Sequence, residues 1–464
     1  MSKVQSIQLG GLRGFDELQK IELAIPDGAT GSGLTIVVGA NNSGKSTLIE
    51  AMRALVQQGT TSFSSGKRNA KFGDKVQMTI TDMDGRSKEL ASIEAGGSQT
   101  FWRTNEIPGL DLLVVPSRRG FNAFFSKNSP IDRESFSSQY GIPALRSQIL
   151  DNQFASRLFK INDDPDAKRS FNKLFAQVVK PTPTWTIDLE DSGQYYLKFL
   201  WENGQSHTSE GLGEGIVSLL SILDGIYDAK DDSLVVIDEP ELSLHPQLQR
   251  RLREVISQFA CDHQVIYSTH SPYFINWGDL ANGATIVRAF KDPRNGVQLR
   301  EADHDVIKRL GKLKDDLFNP HILGLDAAEV FFLEDNVILT EGQEDVVFFK
   351  KIDEILGDQM EGSFFGWGAG GAEKMEIFIK LLDSMGYKKV VGILDGDKSS
   401  LAAEYRAKFP NYHFEVIAAD DIRTKPEVNA RPAKNGLFDE KKNFRPEFES
   451  ATRHLYGRVN QYLS

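Results

Sequence analysis

The chain has 464 residues, enough for two or three domains of roughly 150 residues each. Its 40% hydrophobic and 26% charged residues are typical of a globular protein and argue against a disordered or fibrous chain. The 54 Lys and Arg against 65 Asp and Glu leave a net charge of −11, so any contact with nucleic acid requires a local basic patch or metal ions. A single cysteine, the lack of a signal-peptide pattern and the lack of a long apolar run predict a cytoplasmic protein.

Apolar runs in the N-terminal part predict short strands, interrupted by a segment that is mainly helical. The predicted strands are Val4–Leu9, Ile21–Ala24, Leu34–Val38, Val76–Ile80, Thr184–Leu189, Tyr195–Leu200, Leu234–Ile237 and Val265–Ser268. Helices are predicted over Gly215–Tyr227 and Pro246–Phe259. We interpret residues 131–180 as a helical insertion and as a candidate dimerisation arm.

A second series of strands and helices starts near residue 334. Val337–Thr340 and Val390–Leu394 predict strands, and apolar residues at helical spacing predict two helices between them. Strands that alternate with helices favour parallel α/β layers. We therefore expect an α/β protein with two domains, residues 1–330 and residues 331–464.

Residues 39–46 read Gly-Ala-Asn-Asn-Ser-Gly-Lys-Ser and fit the phosphate-binding pattern G-x-x-x-x-G-K-[ST]. An apolar strand precedes the motif and a helix follows it, so backbone N–H groups and the helix dipole favour phosphate. We expect Lys45 to reach the β- and γ-phosphates and Ser46 to bind Mg²⁺. The predicted nucleotide-binding residues of this loop are Asn41, Asn42, Ser43, Gly44, Lys45, Ser46 and Thr47.

Two further strand ends carry residues that suit nucleotide hydrolysis. Asp238 and Glu239 follow the strand Leu234–Ile237, where Asp238 is expected to bind Mg²⁺ and Glu239 to polarise the attacking water. An acidic helix cap is the alternative interpretation, mainly for Glu241. His270 follows the next strand, and its position after the acid pair predicts contact with the γ-phosphate.

These motifs together resemble the ABC-type ATPases of the SMC/RecF class. The resemblance is carried by Ile7–Phe15, Gly39–Thr47, Asp238-Glu239-Pro240 and Ser268–His270. It implies that two ATPase heads close over ATP, with a signature loop acting across the dimer. The candidate loop is 212–216, where Gly213 replaces the usual serine, and no heptad coiled coil is present. The loop 114–119 resembles an arginine-bearing loop near nucleotide, and a surface basic pair is the alternative.

Acidic residues recur at two strand ends in the C-terminal part. Glu341 and Asp345 follow one predicted strand, and Asp395 and Asp397 follow another. Carboxylates brought together repel one another, so a divalent cation such as Mg²⁺ or Mn²⁺ is their natural partner. Such a cluster can support cleavage of a phosphodiester. Each motif alone also fits a helix start or a polar turn.

The carboxylate pattern resembles a TOPRIM domain, a Rossmann-like fold, over roughly residues 334–464. An SMC-like ATPase followed by TOPRIM resembles the OLD (overcoming lysogenization defect) family of nucleases. The resemblance implies that Glu341, Asp395 and Asp397 hold catalytic metals, with Asp345 in support. It also implies a later acid, either Asp420 or Asp421, and a lysine, either Lys425 or Lys434. Residues 421–464 carry nine Lys and Arg against six Asp and Glu, which indicates either a DNA-facing surface or a solvated helix.

The OLD resemblance implies an ATP-binding, metal-dependent DNA endonuclease in defence against phage. It also implies a homodimer or larger homo-oligomer. Because members of this family serve as retron effectors, a reverse transcriptase with its RNA–DNA hybrid is a candidate partner. The alternative function is an ATP-switched clamp in DNA repair or signalling, with a TOPRIM domain that binds metal without cutting.

Overall fold

The computed structural model describes residues 3–56, 60–107, 111–117, 148–201, 204–208, 214–231, 233–311, 320–333, 335–427, 430 and 432–464. The chain divides into two compact units, Met1–Leu299 and Arg300–Ser464. The predicted boundary at residue 330 lies later in the chain. Residues 304–311 fall in the second unit because their helix packs against the helix at 375–384. No helix among the described residues combines the length and apolarity that crossing a membrane requires.

The first unit is built around a central sheet that holds the predicted phosphate-binding loop. In the described part of this unit, the strands are β1 (Val4–Gly10), β2 (Gln19–Glu22), β3 (Leu34–Val38), β4 (Gln77–Asp82), β5 (Ser87–Ser92), β6 (Thr100–Asn105), β7 (Leu112–Val115), β8 (Thr184–Leu189), β9 (Tyr195–Leu200), β10 (Ser206–Thr208), β11 (Leu234–Asp238), β12 (Gln264–Ser268), β13 (Thr285–Asp292) and β14 (Gly296–Glu301). The helices are α1 (Lys45–Val56), α2 (Gln148–Asp163), α3 (Pro165–Val178), α4 (Glu214–Tyr227), α5 (Pro246–Phe259) and α6 (Trp277–Ala281).

The central sheet has the strand order β14-β13-β3-β12-β11-β7 among the described residues. The strands from β13 to β7 pair in parallel, so β3, β12 and β11 end at the same edge. All five residues of β3 are buried, as expected for a parallel strand covered on both faces. Strand β12 lies between β3 and β11, and this order places three predicted motifs side by side.

Two antiparallel sheets flank this arrangement. Strands β2-β1-β4-β5-β6 form one, and β10-β9-β8 form the other. The helical prediction for 131–180 agrees with α2 and α3, while residues 131–147 lie outside the described part. Helix α3 packs against α4 and α5, so the described part of the insertion is joined to the first unit.

The second unit has a parallel sheet of its own, in the order β16-β15-β17-β18. Its described strands are β15 (Val337–Leu339), β16 (Ser363–Phe364), β17 (Val390–Leu394), β18 (His413–Val416), β19 (Asp421–Arg423) and β20 (Gly436–Phe438). Its described helices are α7 (His304–Gly311), α8 (Pro320–Leu323), α9 (Leu325–Ala328), α10 (Gln343–Leu356), α11 (Met375–Ser384), α12 (Ser399–Lys408) and α13 (Glu449–Leu463). Strands β19 and β20 pair in parallel as a separate small sheet.

The α/β fold class predicted from the sequence is confirmed in both units. Predicted strands that are mostly apolar and fully buried, such as Leu34–Val38 and Val390–Leu394, match the observed bounds. The prediction missed the half-polar strands β5 and β6, because strands with one solvated face carry a weaker hydrophobic signal.

Candidate functional site

The phosphate-binding loop connects β3 to α1 through residues with left-handed backbone. Gly39, Asn42 and Gly44 have φ values of 142°, 62° and 106°. A Cβ on Gly39 would lie 2.1 Å from the Ala289 carbonyl oxygen, so the neighbouring strand β13 admits only glycine there. Asn41, Asn42 and Ser46 are exposed, whereas Ser43 and Thr47 are buried.

The Lys45 side chain folds back onto its own loop. Its Nζ donates to the Gly39 carbonyl at 2.8 Å and to the Ala40 carbonyl at 2.9 Å. Burial lowers the pKa of Lys45 to about 8, against the opposing effect of the nearby carboxylates, Glu239 first. An anion beside Nζ would restore the charged form, and this suits the lysine to phosphate binding.

The acid pair lies at the end of β11, which β12 separates from β3. Asp238 pairs in register with Ser268 of β12, whose hydroxyl donates to Asp238 Oδ1 at 2.5 Å. Glu239 turns the chain with a φ of 49°, and its N–H donates to the Ser268 carbonyl at 3.0 Å. The left-handed backbone at Glu239 ends the strand, so Asp238 belongs to β11 and Glu239 to the turn after it.

His270 lies beside Glu239 on the loop after β12. Its Nε2 is 3.6 Å from Glu239 Oε1. Burial, followed by the charge of Lys45, lowers the pKa of His270, which favours a neutral imidazole. The structure thus brings Lys45, Asp238, Glu239 and His270 together, while their predicted roles remain predictions.

Glu241 has a positioning role that the sequence analysis missed. Its carboxylate accepts from the Thr269 hydroxyl at 2.9 Å and from the His270 N–H at 2.6 Å, so it holds the loop that carries His270. The helix cap proposed for Glu241 belongs instead to His245, whose side chain accepts from the Gln247 N–H. The signal in the sequence was a second glutamate directly after Pro240.

A basic cavity of 540 Å³ adjoins the phosphate-binding loop. Arg13, Arg68, Lys71 and Lys291 line it together with two aspartates. Val297 packs against both Gly14, which lines the cavity, and Gly44 of the loop, because a Cβ on either glycine would lie within 3 Å of its methyl groups. The sequence analysis missed this cavity because its lining comes from three separated segments.

Two candidate loops cannot be placed. Residues 118–119 of the arginine-bearing loop and residues 212–213 of the signature loop lie outside the described residues.

In the second unit, parallel pairing brings Glu341 next to Asp395. Strands β15 and β17 are neighbours, with Leu339 paired to Gly392, so the residues that follow them share one edge. The Asp395 N–H donates to Glu341 Oε1 at 2.8 Å. The two strand ends thus meet, as the sequence analysis expected.

Burial and mutual repulsion perturb the carboxyls of this cluster. Burial raises the pKa of Asp395 to about 9, with further contributions from Asp345, Glu341 and Asp421. Burial also raises the pKa of Asp345 to about 7 and raises that of Glu341. Asp345 accepts from the Gly342 N–H at 2.8 Å and so closes the first turn of α10.

Two lysines pair with acids of the cluster. Lys434 Nζ is 2.9 Å from Asp397 Oδ2 and 3.3 Å from Asp421 Oδ2, and Lys425 Nζ is 2.8 Å from the same Asp421 oxygen. Burial lowers the pKa of Lys434, but hydrogen bonds and charges from Asp397 and Asp421 raise it on balance. Backbone pairing of Lys425 with Lys434 places both lysines beside Asp421, so neither is singled out.

The structure also distinguishes the two candidates for the late acid. The Asp421 side chain is 2% exposed and faces the lysines, whereas Asp420 is exposed and accepts from the Asn435 N–H. Asp421 is therefore the acid that lies with Glu341, Asp345, Asp395 and Asp397.

The chemistry of this carboxylate cluster fits Mg²⁺ or Mn²⁺. Hard carboxylate oxygens are the preferred ligands, and a cation would favour the ionised forms of Asp345 and Asp395, whose pKa values burial raises. In the part of the chain that the structure describes, however, no three Asp, Glu, His or Cys residues are arranged to hold an ion as they stand. Binding would thus require a shift of side chains such as Asp397, which is paired with Lys434.

The first unit has the construction of a P-loop ATPase of the ABC type. Family models agree: one described as "AAA domain" matches residues 6–109, and one described as "AAA domain, putative AbiEii toxin, Type IV TA system" matches residues 106–276.

Three curated proteins are similar to parts of the chain. The Septu protein PtuA of Bacillus thuringiensis is 23% identical over 300 residues, covering 59% of this chain and 73% of that protein. The OLD nuclease of Thermus scotoductus is 35% identical over 148 residues, 29% of this chain and 26% of that protein. The Old nuclease of Escherichia phage P2 is 30% identical over 337 residues, 66% of this chain and 56% of that protein. The chain is thus similar to two OLD nucleases, of which it spans about a quarter and about half of the length.

Solved structures with similar folds include SMC head domains. The head domain from Thermotoga maritima has a TM-score of 0.38 at 13% identity and covers 65% of this chain and 99% of that chain. A head domain from Pyrococcus furiosus has a TM-score of 0.43 at 12% identity and covers 68% of this chain and 100% of that chain.

Replacing Lys45 tests the phosphate-binding loop. Lys45→Ala should weaken ATP binding by about tenfold or more, because a charge-assisted contact to phosphate is lost. Titration with a fluorescent ATP analogue measures the change. The exposed Lys173→Ala variant serves as a control that should bind as the wild type does, and equal affinity in both variants would contradict the assignment.

Asp395 should destabilise the metal-free protein in a pH-dependent way. A carboxyl with a raised pKa in the folded state binds its proton more tightly there than in the unfolded chain. It therefore destabilises the fold increasingly as the pH rises above about 4, the pKa of an unfolded aspartate. Asp395→Asn should therefore raise the melting temperature at about pH 8, and the gain should vanish near about pH 4. Thermal unfolding in EDTA measures this.

Asp439→Asn is the control for this pH dependence. Backbone and side-chain hydrogen bonds from Asn443 lower the pKa of Asp439, so this variant should show no gain at high pH. A gain for Asp395→Asn that is equally large at both pH values would refute the electrostatic explanation.

Proposed function

We propose that the protein is an ATP-binding, Mg²⁺- or Mn²⁺-dependent DNA endonuclease of the OLD type, with a C-terminal TOPRIM domain. The observation that carries this proposal is the meeting of Glu341, Asp345, Asp395, Asp397 and Asp421 with Lys425 and Lys434. The names of the OLD relatives support nuclease chemistry. A fold alone does not imply an activity, so the side chains carry the argument.

Each group has a proposed task in cleavage. Glu341, Asp395 and Asp397 hold the divalent metal, with Asp345 and Asp421 in support. The metal would polarise the phosphodiester and lower the pKa of a bound water. Lys434 lies beside Asp397 and can stabilise negative charge on the phosphate, and Lys425 supports Asp421.

We further propose that the first unit binds and hydrolyses ATP and thereby controls cleavage. Lys45 and the loop amides hold the phosphates, while Ser46 and Asp238 hold Mg²⁺. Glu239 orients the attacking water, and a neutral His270 contacts the γ-phosphate. A homodimer is the expected assembly.

A role in defence against phage is proposed from the relatives. One relative is named Septu protein PtuA, and two others are named OLD nucleases. A reverse transcriptase with an RNA–DNA hybrid is the proposed partner if the protein acts as a retron effector. Co-purification of tagged protein from its native host tests this link.

Incubation with supercoiled plasmid tests the nuclease proposal. The wild type should nick or cut the plasmid with Mg²⁺ or Mn²⁺, and the double variant Asp395→Ala, Asp397→Ala should leave it intact. If the wild type leaves the plasmid intact with every nucleotide and metal, the alternative of a non-cleaving clamp is favoured. Cleavage that persists in the double variant would show that the site lies elsewhere.

A matched pair of neighbouring aspartates sharpens this test. Asp421→Asn should lower the cleavage rate by about a hundredfold, because it removes the carboxylate between the two lysines. Asp420→Asn should cleave as the wild type does, since that side chain is exposed and outside the cluster. Equal loss in both variants would refute the choice of Asp421.

The ATPase proposal predicts a separation of binding from hydrolysis. Glu239→Gln should still bind ATP but hydrolyse it about a hundredfold more slowly, because the carboxylate that orients the water is lost. A phosphate-release assay measures the rate, with the exposed Glu254→Gln as a control. Undiminished hydrolysis in Glu239→Gln would remove this residue from the mechanism.

A further inference from the structure

An exposed glutamate pairs with two cations at the rim of the carboxylate cluster. Arg423 ends β19, and its Nη2 donates to Glu344 Oε1 at 2.7 Å. Lys425 Nζ lies 3.4 Å from Glu344 Oε2. Glu344 is the second residue of α10, directly before Asp345, and its side chain is 45% exposed.

The Arg423 guanidinium is only partly satisfied by this contact. Its Nε is buried and has no hydrogen-bond acceptor among the residues that the structure describes. Nε and Nη2 lie on one edge of the guanidinium, where a carboxylate or phosphate can accept from both. Glu344 accepts from Nη2 alone. The geometry therefore leaves one donor of an oxyanion-binding edge unused.

A purely structural brace is a poor explanation for the Arg423–Glu344 pair. Ion pairs with a well-exposed partner contribute little to stability, and a buried donor without an acceptor is unfavourable. Arg453 and Glu449 on α13 show how an exposed pair is better satisfied, since Arg453 Nε donates to Glu449 and its Nη1 donates to the Leu356 carbonyl. In Arg423, by contrast, the Nε donor has no acceptor among the residues that the structure describes.

The surroundings favour a phosphodiester as the natural occupant. Lys425 and Lys434 continue the row of cations from Arg423 towards Asp421 and Asp397. A nucleic-acid strand whose scissile phosphate lies at the carboxylates would carry its neighbouring phosphates past these side chains. A tetrahedral phosphate offers two oxygens to a guanidinium edge, which a lysine cannot match.

We propose that Arg423 binds a backbone phosphate of the nucleic-acid substrate and that Glu344 occupies the same guanidinium edge when no nucleic acid is bound. This inference rests on the proposed nuclease function and adds a substrate-binding residue with a built-in competitor. The phosphate can bind only after the contact between Glu344 and Arg423 breaks, so Glu344 lowers the affinity for nucleic acid. Arg423 is thus a binding residue and Glu344 a competing one.

Binding of a fluorescent DNA duplex in Ca²⁺, followed by anisotropy over a range of salt concentrations, tests the proposal. Glu344→Gln should tighten binding by about threefold, and Arg423→Ala should weaken it by about tenfold and reduce the salt dependence by about one phosphate contact. Arg423→Lys should give an intermediate loss. In the Arg423→Ala background, Glu344→Gln should have no further effect, because the contact for which it competes is gone.

Glu449→Gln is the matched control, because it neutralises the acid of an exposed arginine pair on α13. It should bind DNA as the wild type does. If Glu344→Gln tightens binding equally with and without Arg423, the effect is general repulsion of DNA and the proposal is overturned. Wild-type affinity in Arg423→Lys or Arg423→Ala overturns it as well.

Cleavage assays separate this inference from the proposed function. In Mg²⁺, Glu344→Gln should lower KM with little change in kcat, and Arg423→Lys should raise KM. If the wild type cuts DNA and these variants behave like Glu449→Gln, only the inference fails. If the wild type neither binds nor cuts DNA, the proposed function fails and this inference fails with it.

Discussion

Repulsion among buried carboxylates is the interaction on which the second unit depends. Parallel pairing of β15 with β17 forces Glu341 and Asp395 to one edge of the sheet, and the first turn of α10 adds Asp345. Burial raises the pKa of each of these acids, and burial together with the charges of neighbouring acids raises that of Asp395 to about 9. The backbone donates hydrogen bonds to two of them but supplies no full positive charge. A site built in this way favours cationic partners.

The chain supplies part of that positive charge from its own C-terminal segment. The pairing of Lys425 with Lys434 brings two ammonium groups to Asp421 and Asp397, and Arg423 extends the row to Glu344. The lysines pair with Asp397 and Asp421, while the buried acids Asp395 and Asp345 form no ion pair with them. Several of the basic residues after residue 421 thus pair with acids in this region, although the chain as a whole is acidic.

In the first unit, parallel strands likewise bring charged residues to one edge of the sheet, but the buried group there is a cation among acids. There one buried lysine, Lys45, lies among acids that follow β11, and the sheet order β3-β12-β11 sets the distances. Glu241 holds the loop of His270 through hydrogen bonds. Ligands of α/β sheets bind at the carboxyl ends of strands, and the candidate sites of both units lie at that edge.

The sequence by itself determined the motifs and the strands that carry them. The glycine-lysine loop, the acid pair after β11 and the acids after β15 and β17 are local patterns, since a buried strand is apolar and the residue after it is free to be polar. The resemblance to the OLD family also rests on these patterns. Half-polar strands such as β5 and the pairing of β19 with β20 were not predicted, because their signals are weak or depend on distant partners.

Only the tertiary structure decided which side chains meet. Sequence reasoning left Asp420 and Asp421 equivalent, and burial of one beside the lysines separates them. It could not connect Glu344 with Arg423, because they are 79 positions apart in the chain and no local pattern links an α10 residue to a β19 residue. Strand order and helix placement are collective results of packing, so contacts of this kind become visible only once the chain has folded.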